Sequence, residues 1–182
     1  MSLAGLILSH NALLLMFLPF ICAYILYLIY NSKDKKFLTL YSLSFILLGF
    51  GLSSFFLYPA FAEGKYTLRD IVASSEYFSR FVRLDQLLYG SWSYGISGQF
   101  TVQVGILQWI MVLGSLFVVR RLFRKERKLF AFYVIALVFF IGSLFLMLKE
   151  SDFIWQTISI LQKFQFPWRF LSVSVFMAGI LG

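Results

Sequence analysis

The sequence predicts an all-α, polytopic membrane protein. Hydrophobic residues make up 60% of its 182 positions, and the mean hydropathy is +0.85; soluble domains average about 45–50% apolar. The apolar residues gather into five long segments, which no water-soluble globule of this size could cover. Lys and Arg concentrate between those segments: Lys33, Lys35, Lys36, Arg120, Arg121, Arg124, Lys125, Arg127 and Lys128 account for nine of the 16 basic residues.

The first apolar segment runs from Leu3 to Tyr30 and is interrupted by Ser9, His10 and Asn11. A bilayer span needs about 20 helical residues. The segment therefore holds a short extra-membrane or re-entrant piece up to Asn11, followed by a span at about 12–30. The N-terminus lacks the basic start of a signal peptide, and its apolar stretch is too long for one. The second span is expected at about 37–59, ending near Pro59, the third at about 100–119 and the fourth at about 129–148. The fifth, about 168–182, holds about 15 residues. At about 1.5 Å per residue this falls short of the roughly 30 Å hydrocarbon core, so four full spans and a partial fifth are expected.

The dense basic runs NSKDKK (Asn31–Lys36) and RRLFRKERK (Arg120–Lys128) mark the cytoplasmic side, where Lys and Arg accumulate in short loops. They are two spans apart, so placing both loops inside is self-consistent. Loops 62–99 and 149–167 then lie outside, as does the N-terminus. An external N-terminus and an unfinished last helix read together as a piece of a longer protein. The net charge of +8 is accounted for by topology and anionic lipid headgroups, and no nucleic-acid partner is expected.

The external loops carry helical patterns of their own. Between Leu68 and Tyr89, Ile71, Phe78, Phe81, Val82 and Leu88 alternate with Arg69, Asp70, Glu76, Arg80 and Arg83, which predicts an amphipathic helix at the outer interface. GSWSYGISGQ (Gly90–Gln99) reads as a turn-rich loop. In Glu150–Phe170, an apolar stripe of Phe153, Ile154, Thr157, Ile158, Leu161 and Phe164 predicts a second interfacial helix, stopped by Pro167. Trp155 and Trp168 suit the water–lipid boundary.

The side chains available for chemistry are few. One histidine and one cysteine, Cys22, leave little with which to build a metal site, and none is expected; no cofactor is expected either. His10 reads either as a polar element of an external cavity or as part of an interfacial helix start capped by Asn11 or Ser9. Glu63 could line an external site or be a solvated helix end. Arg169, after Pro167 and Trp168, can take a phosphate bidentately, or anchor to headgroups and stack on Trp168. GFGLSS (Gly49–Ser54) reads as close helix packing. No span centre carries a charge, which disfavours an ion-coupled transporter. No catalytic residue can be assigned.

Two motifs carry a resemblance. SWSYGISGQFTVQVGILQW (Ser91–Trp109), with Gln103 and Gly105, and FQFPWRFL (Phe164–Leu171) resemble the bacterial multi-pass membrane family named after a "6-pyruvoyl-tetrahydropterin synthase-related" domain; SHN (Ser9–Asn11) with the apolar run after it is similar too. The family's name does not describe its chemistry. Its members resemble GT-C-type glycosyltransferases, which move sugars from polyprenyl-phosphate carriers at the outer face of the membrane. The resemblance implies a bacterial inner-membrane protein acting in envelope glycan or glycolipid assembly. Read with the topology, the residues put a candidate substrate-binding face on the external side, involving Arg169, Trp168, His10, Trp92, Tyr94 and Glu63. In such enzymes the catalytic carboxylate sits in a first external loop upstream of anything matched here, so this chain alone is expected to be inactive. The other reading is non-enzymatic: a lipid-linked glycan transporter or a membrane scaffold. The oligomeric state is not legible.

Overall fold

Four stretches of the chain combine length, hydropathy and freedom from internal charge, and these become its four long helices. They are 18 to 21 residues long, and each is apolar enough to cross a bilayer. The computed structural model describes residues 2–63, 77–90 and 101–182. The chain divides into two compact units, Met1–Asp70 and Ile71–Gly182. Large apolar side chains stand on the outside of the long helices: Phe117 is 87% exposed, Tyr30 79% and Leu107 72%. That pattern suits lipid and not water, and the protein is a multi-pass membrane protein.

The first unit contains α1 (Ser2–Ser9), α2 (Asn11–Asn31), α3 (Lys35–Leu52) and α4 (Ser54–Ala62). Helix α1 closes where the Ser9 hydroxyl donates to the Leu6 carbonyl at 2.9 Å, and His10 turns to extended backbone before α2. Asp34 caps α3 by accepting from the Phe37 N–H at 2.9 Å. Leu3, Ile7 and Leu14 are buried together, with Leu6, Phe45, Ile46 and Leu57 packed on them. Gly49 lets α1 sit directly on α3: a Cβ there would lie 2.6 Å from Leu3 Cδ2. Of the two glycines in that run, Gly49 serves close packing, while Gly51 faces open space.

The expected second span, 37–59, is two helices. Ser53 is fully buried, and its hydroxyl takes the Gly49 carbonyl at 3.0 Å while its N–H turns to the Phe50 carbonyl. The helical ladder is interrupted at Ser53, whose side chain takes an acceptor that the ladder would use.

The second unit is built on α6 (Ile106–Lys125), α7 (Arg127–Met147) and α10 (Leu171–Leu181), with α5 (Leu84–Leu88), α8 (Asp152–Thr157) and α9 (Ser159–Gln162) beside them. Side-chain pairs fix the register. Phe123 meets Phe130, Ser115 meets Tyr133 at 3.0 Å, and Trp109 meets Phe140. As one partner's number falls the other's rises, so α6 and α7 are antiparallel. Ser143 of α7 meets Ser174 of α10 at 2.8 Å. These buried hydroxyl contacts supply polar adhesion where lipid removes the hydrophobic drive for helix association.

Helix α6 starts six residues later than the expected 100, because Gly105 has φ +105, a region that L side chains rarely adopt. It then runs on through the basic segment: Arg124 and Lys125 form its last turn, where cations suit the helix dipole. Only Glu126 separates α6 from α7, so the expected loop 120–128 is two helix ends. The fifth segment begins as a 3-10 turn, Pro167–Phe170, before α10.

The expected interfacial helices are shorter than their periodicity implied. Within 68–89 the described residues form a 3-10 turn at Tyr77–Arg80, an extended step and then α5; residues 64–76 lie outside the described residues. Val82 makes a β-bridge with Leu148, its N–H donating to the Met147 carbonyl at 2.9 Å, and this contact overrides a continuous helix. The Glu150–Phe170 stretch is likewise broken into a 3-10 turn, α8, α9 and the Pro167 turn.

Candidate functional site

The sequence-selected cation, Arg169, is positioned by an aromatic foundation in the second unit. Trp155 is fully buried, and its indole N–H donates to the Leu146 carbonyl at 3.0 Å. Tyr77 stacks on it at 5.5 Å and 10°, while Phe81 and Phe170 meet it edge-on at 5.8 and 6.1 Å. Phe164 meets Phe170 edge-on. Trp155 is therefore a core residue, not the boundary residue its sequence context implied. Its partners come from segments far apart in sequence, and they pin residues 77–82 against the end of α7.

On this foundation stands Phe166. Gln165, just before it, has φ +62, the one non-glycine residue with positive φ among the described residues. Such a conformation costs roughly 1 kcal/mol or more and is held by its surroundings. The Phe166 N–H then turns back to the Phe164 carbonyl at 2.6 Å, and the Arg169 N–H donates to the Phe166 carbonyl at 3.1 Å. The result places the Arg169 guanidinium 5.2 Å from the Phe166 ring centre and Trp168 5.6 Å from the same ring. A second guanidinium, Arg80, lies 5.7 Å from that ring. Arg169 is half-buried and Arg80 exposed. Among the described residues the ion pair is Arg83 with Asp85, at 3.0 Å; neither Arg80 nor Arg169 has a carboxylate partner there.

Beneath this surface, Asp152 accepts from Gln156 at 2.7 Å through Oδ2, while its Oδ1 is buried with no hydrogen-bond partner. Burial, and then the nearby Asp152 carboxylate, push the Tyr77 phenol above its usual range. Both effects disfavour a phenolate.

The other candidates lie elsewhere. His10 is exposed at the start of α2, and its side chain makes no cap bond. Glu63 is exposed at the end of α4, its N–H donating to the Pro59 carbonyl at 2.8 Å. Both belong to the first unit. Trp92 and Tyr94 lie outside the described residues. Of the six candidates, Trp168 and Arg169 are brought together. Arg80 was hidden by its place in a charge-balanced stretch; the signal that could have found it is a cation between aromatic residues, at Tyr77, Phe78 and Phe81.

The Gln103–Gly105 element has a structural role. The Gln103 side-chain oxygen accepts from the Gly90 N–H at 3.1 Å, the Val104 N–H donates to the Leu87 carbonyl at 3.1 Å, and the Trp109 indole N–H reaches the same carbonyl at 3.4 Å. These bonds tie the α5 segment to the start of α6.

Comparison with known protein families, with characterised proteins and with solved structures finds no match to this chain.

Proposed function

We propose that this membrane protein binds a lipid-linked phosphate at the end of the second unit that carries Arg169. In this reading it forms part of a GT-C-like glycosyltransferase that uses a polyprenyl-phosphate sugar in envelope glycan or glycolipid assembly. The observation that carries the reading is Arg169 itself: half-buried, held on Phe166 and without a carboxylate partner among the described residues, at the head of an apolar helix. A planar guanidinium held this way suits bidentate binding of a phosphate.

The 21 residues of α7 put about 30 Å between this end and the basic turn at Arg120–Lys128, at about 1.5 Å per residue. That is one hydrocarbon thickness. With the basic turn facing the cytoplasm, Arg169 faces the opposite surface. When a sugar leaves its carrier, negative charge grows on the phosphate oxygen, and a pre-positioned cation stabilises that charge. His10 and Glu63 are kept as candidate polar residues of the external surface.

The test is binding of a polyprenyl-phosphate sugar to the protein in lipid nanodiscs, before and after Arg169→Ala. A loss of about tenfold or more is expected for one charge-assisted contact; unchanged affinity removes Arg169 from the role. Binding without sugar transfer in the complete protein would favour a lipid-linked glycan transporter or a scaffold.

A further inference from the structure

Arg80 converges on the same ring as Arg169, from a segment 89 residues earlier in the chain. Their distances from the Phe166 centre leave the two guanidinium carbons at most about 11 Å apart, each within the usual cation–π range of about 6 Å. Among the described residues neither cation has a carboxylate partner; their mutual repulsion beside water is weak, while an anion that reaches both is attracted by each. The arrangement is also held in place. Tyr77 is stacked on Trp155 three residues before Arg80, and Val82 is bonded to Met147 two residues after it. Arg169 is fixed by the Gln165 turn and by its own backbone bond to Phe166.

The local charges support the same conclusion. Arg83 is paired with Asp85, Lys149 lies 5.7 Å over the Phe78 ring, and Asp152, which accepts from Gln156 through Oδ2, has its Oδ1 buried and pairs with neither arginine. Among the described residues, neither guanidinium at Phe166 is paired with a carboxylate. The ligand's other end is apolar. Trp168 borders Phe166, and α10, composed almost wholly of apolar residues, starts at Leu171.

We propose that Arg80 and Arg169 form a two-guanidinium clamp around the Phe166 ring for the phosphate group of an amphiphile. This rests on the phosphate-binding reading of Arg169 and adds a second ligand from another segment. Binding then joins the 77–82 segment to the head of α10 through a shared anion.

The test uses the 182-residue chain in zwitterionic nanodiscs, with farnesyl phosphate, farnesol and inorganic phosphate as probes. Farnesyl phosphate is expected to bind, and Arg80→Ala and Arg169→Ala each to weaken it about tenfold. Arg80→Lys, which keeps the charge but loses the fork, is expected to fall between wild type and Arg80→Ala. Arg83→Ala is expected to leave binding unchanged. Equal thermal unfolding of the variants shows that each is folded; Arg80 is exposed, so its replacement leaves the core intact. Unchanged binding in Arg80→Ala with a loss in Arg169→Ala overturns the clamp and keeps the single-arginine reading. Unchanged binding in both overturns both. Inorganic phosphate binding as tightly as farnesyl phosphate overturns the amphiphile, and farnesol binding as tightly overturns the anion.

Discussion

Ser143 and Ser174 meet hydroxyl to hydroxyl at 2.8 Å between α7 and α10, and both are buried. Each hydroxyl also lies within hydrogen-bonding distance of a carbonyl one turn back, Phe140 at 2.8 Å from Ser143 and Phe170 at 3.3 Å from Ser174; each carries one proton, so Ser143, nearer its carbonyl, donates there and accepts from Ser174. Ser174→Ala leaves Ser143 with its carbonyl partner, so the expected loss is about 0.6 kcal/mol, typical of one interhelical hydrogen bond in a membrane. Ser174→Leu adds bulk at a fully buried point and should cost about 1–3 kcal/mol. Unfolding in mixed detergent micelles with rising SDS measures both.

Gly49 and Leu3 make the corresponding contact in the first unit. Gly49→Ala forces its methyl into the Leu3 side chain, with an expected cost of about 1–3 kcal/mol. Leu3→Ala in the same chain should restore part of that loss. A double-mutant cycle by SDS unfolding decides it: simple additivity would mean that the two residues do not press on each other.

Gln165 offers a test of backbone strain. Its positive φ suits glycine, so Gln165→Gly is expected to be neutral or stabilising by up to about 1 kcal/mol. Gln165→Val should destabilise by more than that, since a β-branched residue disfavours this region. Thermal unfolding in detergent separates the two outcomes.

Tyr77 sets an alkaline limit. Its folded-state pKa is raised by burial and by Asp152, so the folded state holds the phenolic proton more tightly than the unfolded state does. Its contribution is fully present below the unfolded value of about 10 and is lost as pH rises through the folded value. The melting temperature should therefore be level in this respect to about pH 9 and fall above about pH 10. Tyr77→Phe should flatten that fall, and an equally steep fall in the variant would assign it to another group.

Orientation is testable by labelling. Cys22 is exposed, so single cysteines belong in a Cys22→Ser background. Arg124→Cys is expected to react with an impermeant maleimide only after the membrane is opened, and Lys163→Cys in intact cells. Labelling at 124 from outside would invert the topology.

The long helices were legible because hydropathy over about 20 residues is a strong local signal. Their interruptions were not, because each depends on a single group. The Ser53 hydroxyl shares a carbonyl with the helical ladder, Gly105 adopts a positive-φ backbone just before α6 starts, and Glu126 alone separates α6 from α7. Periodicity predicts longer helices outside the spans than those that form, because it does not register the Val82–Leu148 bridge, made across 66 positions. The site was half legible. Arg169 stood out by its neighbours Pro167 and Trp168, whereas Arg80 gains meaning only when Trp155 and Tyr77 bring its segment to Phe166.

Glu126 has a further consequence for the folded protein. One residue reaches no more than about 3.6 Å, so α6 and α7 have no slack between them at that end. A displacement of one helix along its axis must carry the near end of the other with it, and the two behave as one helical hairpin.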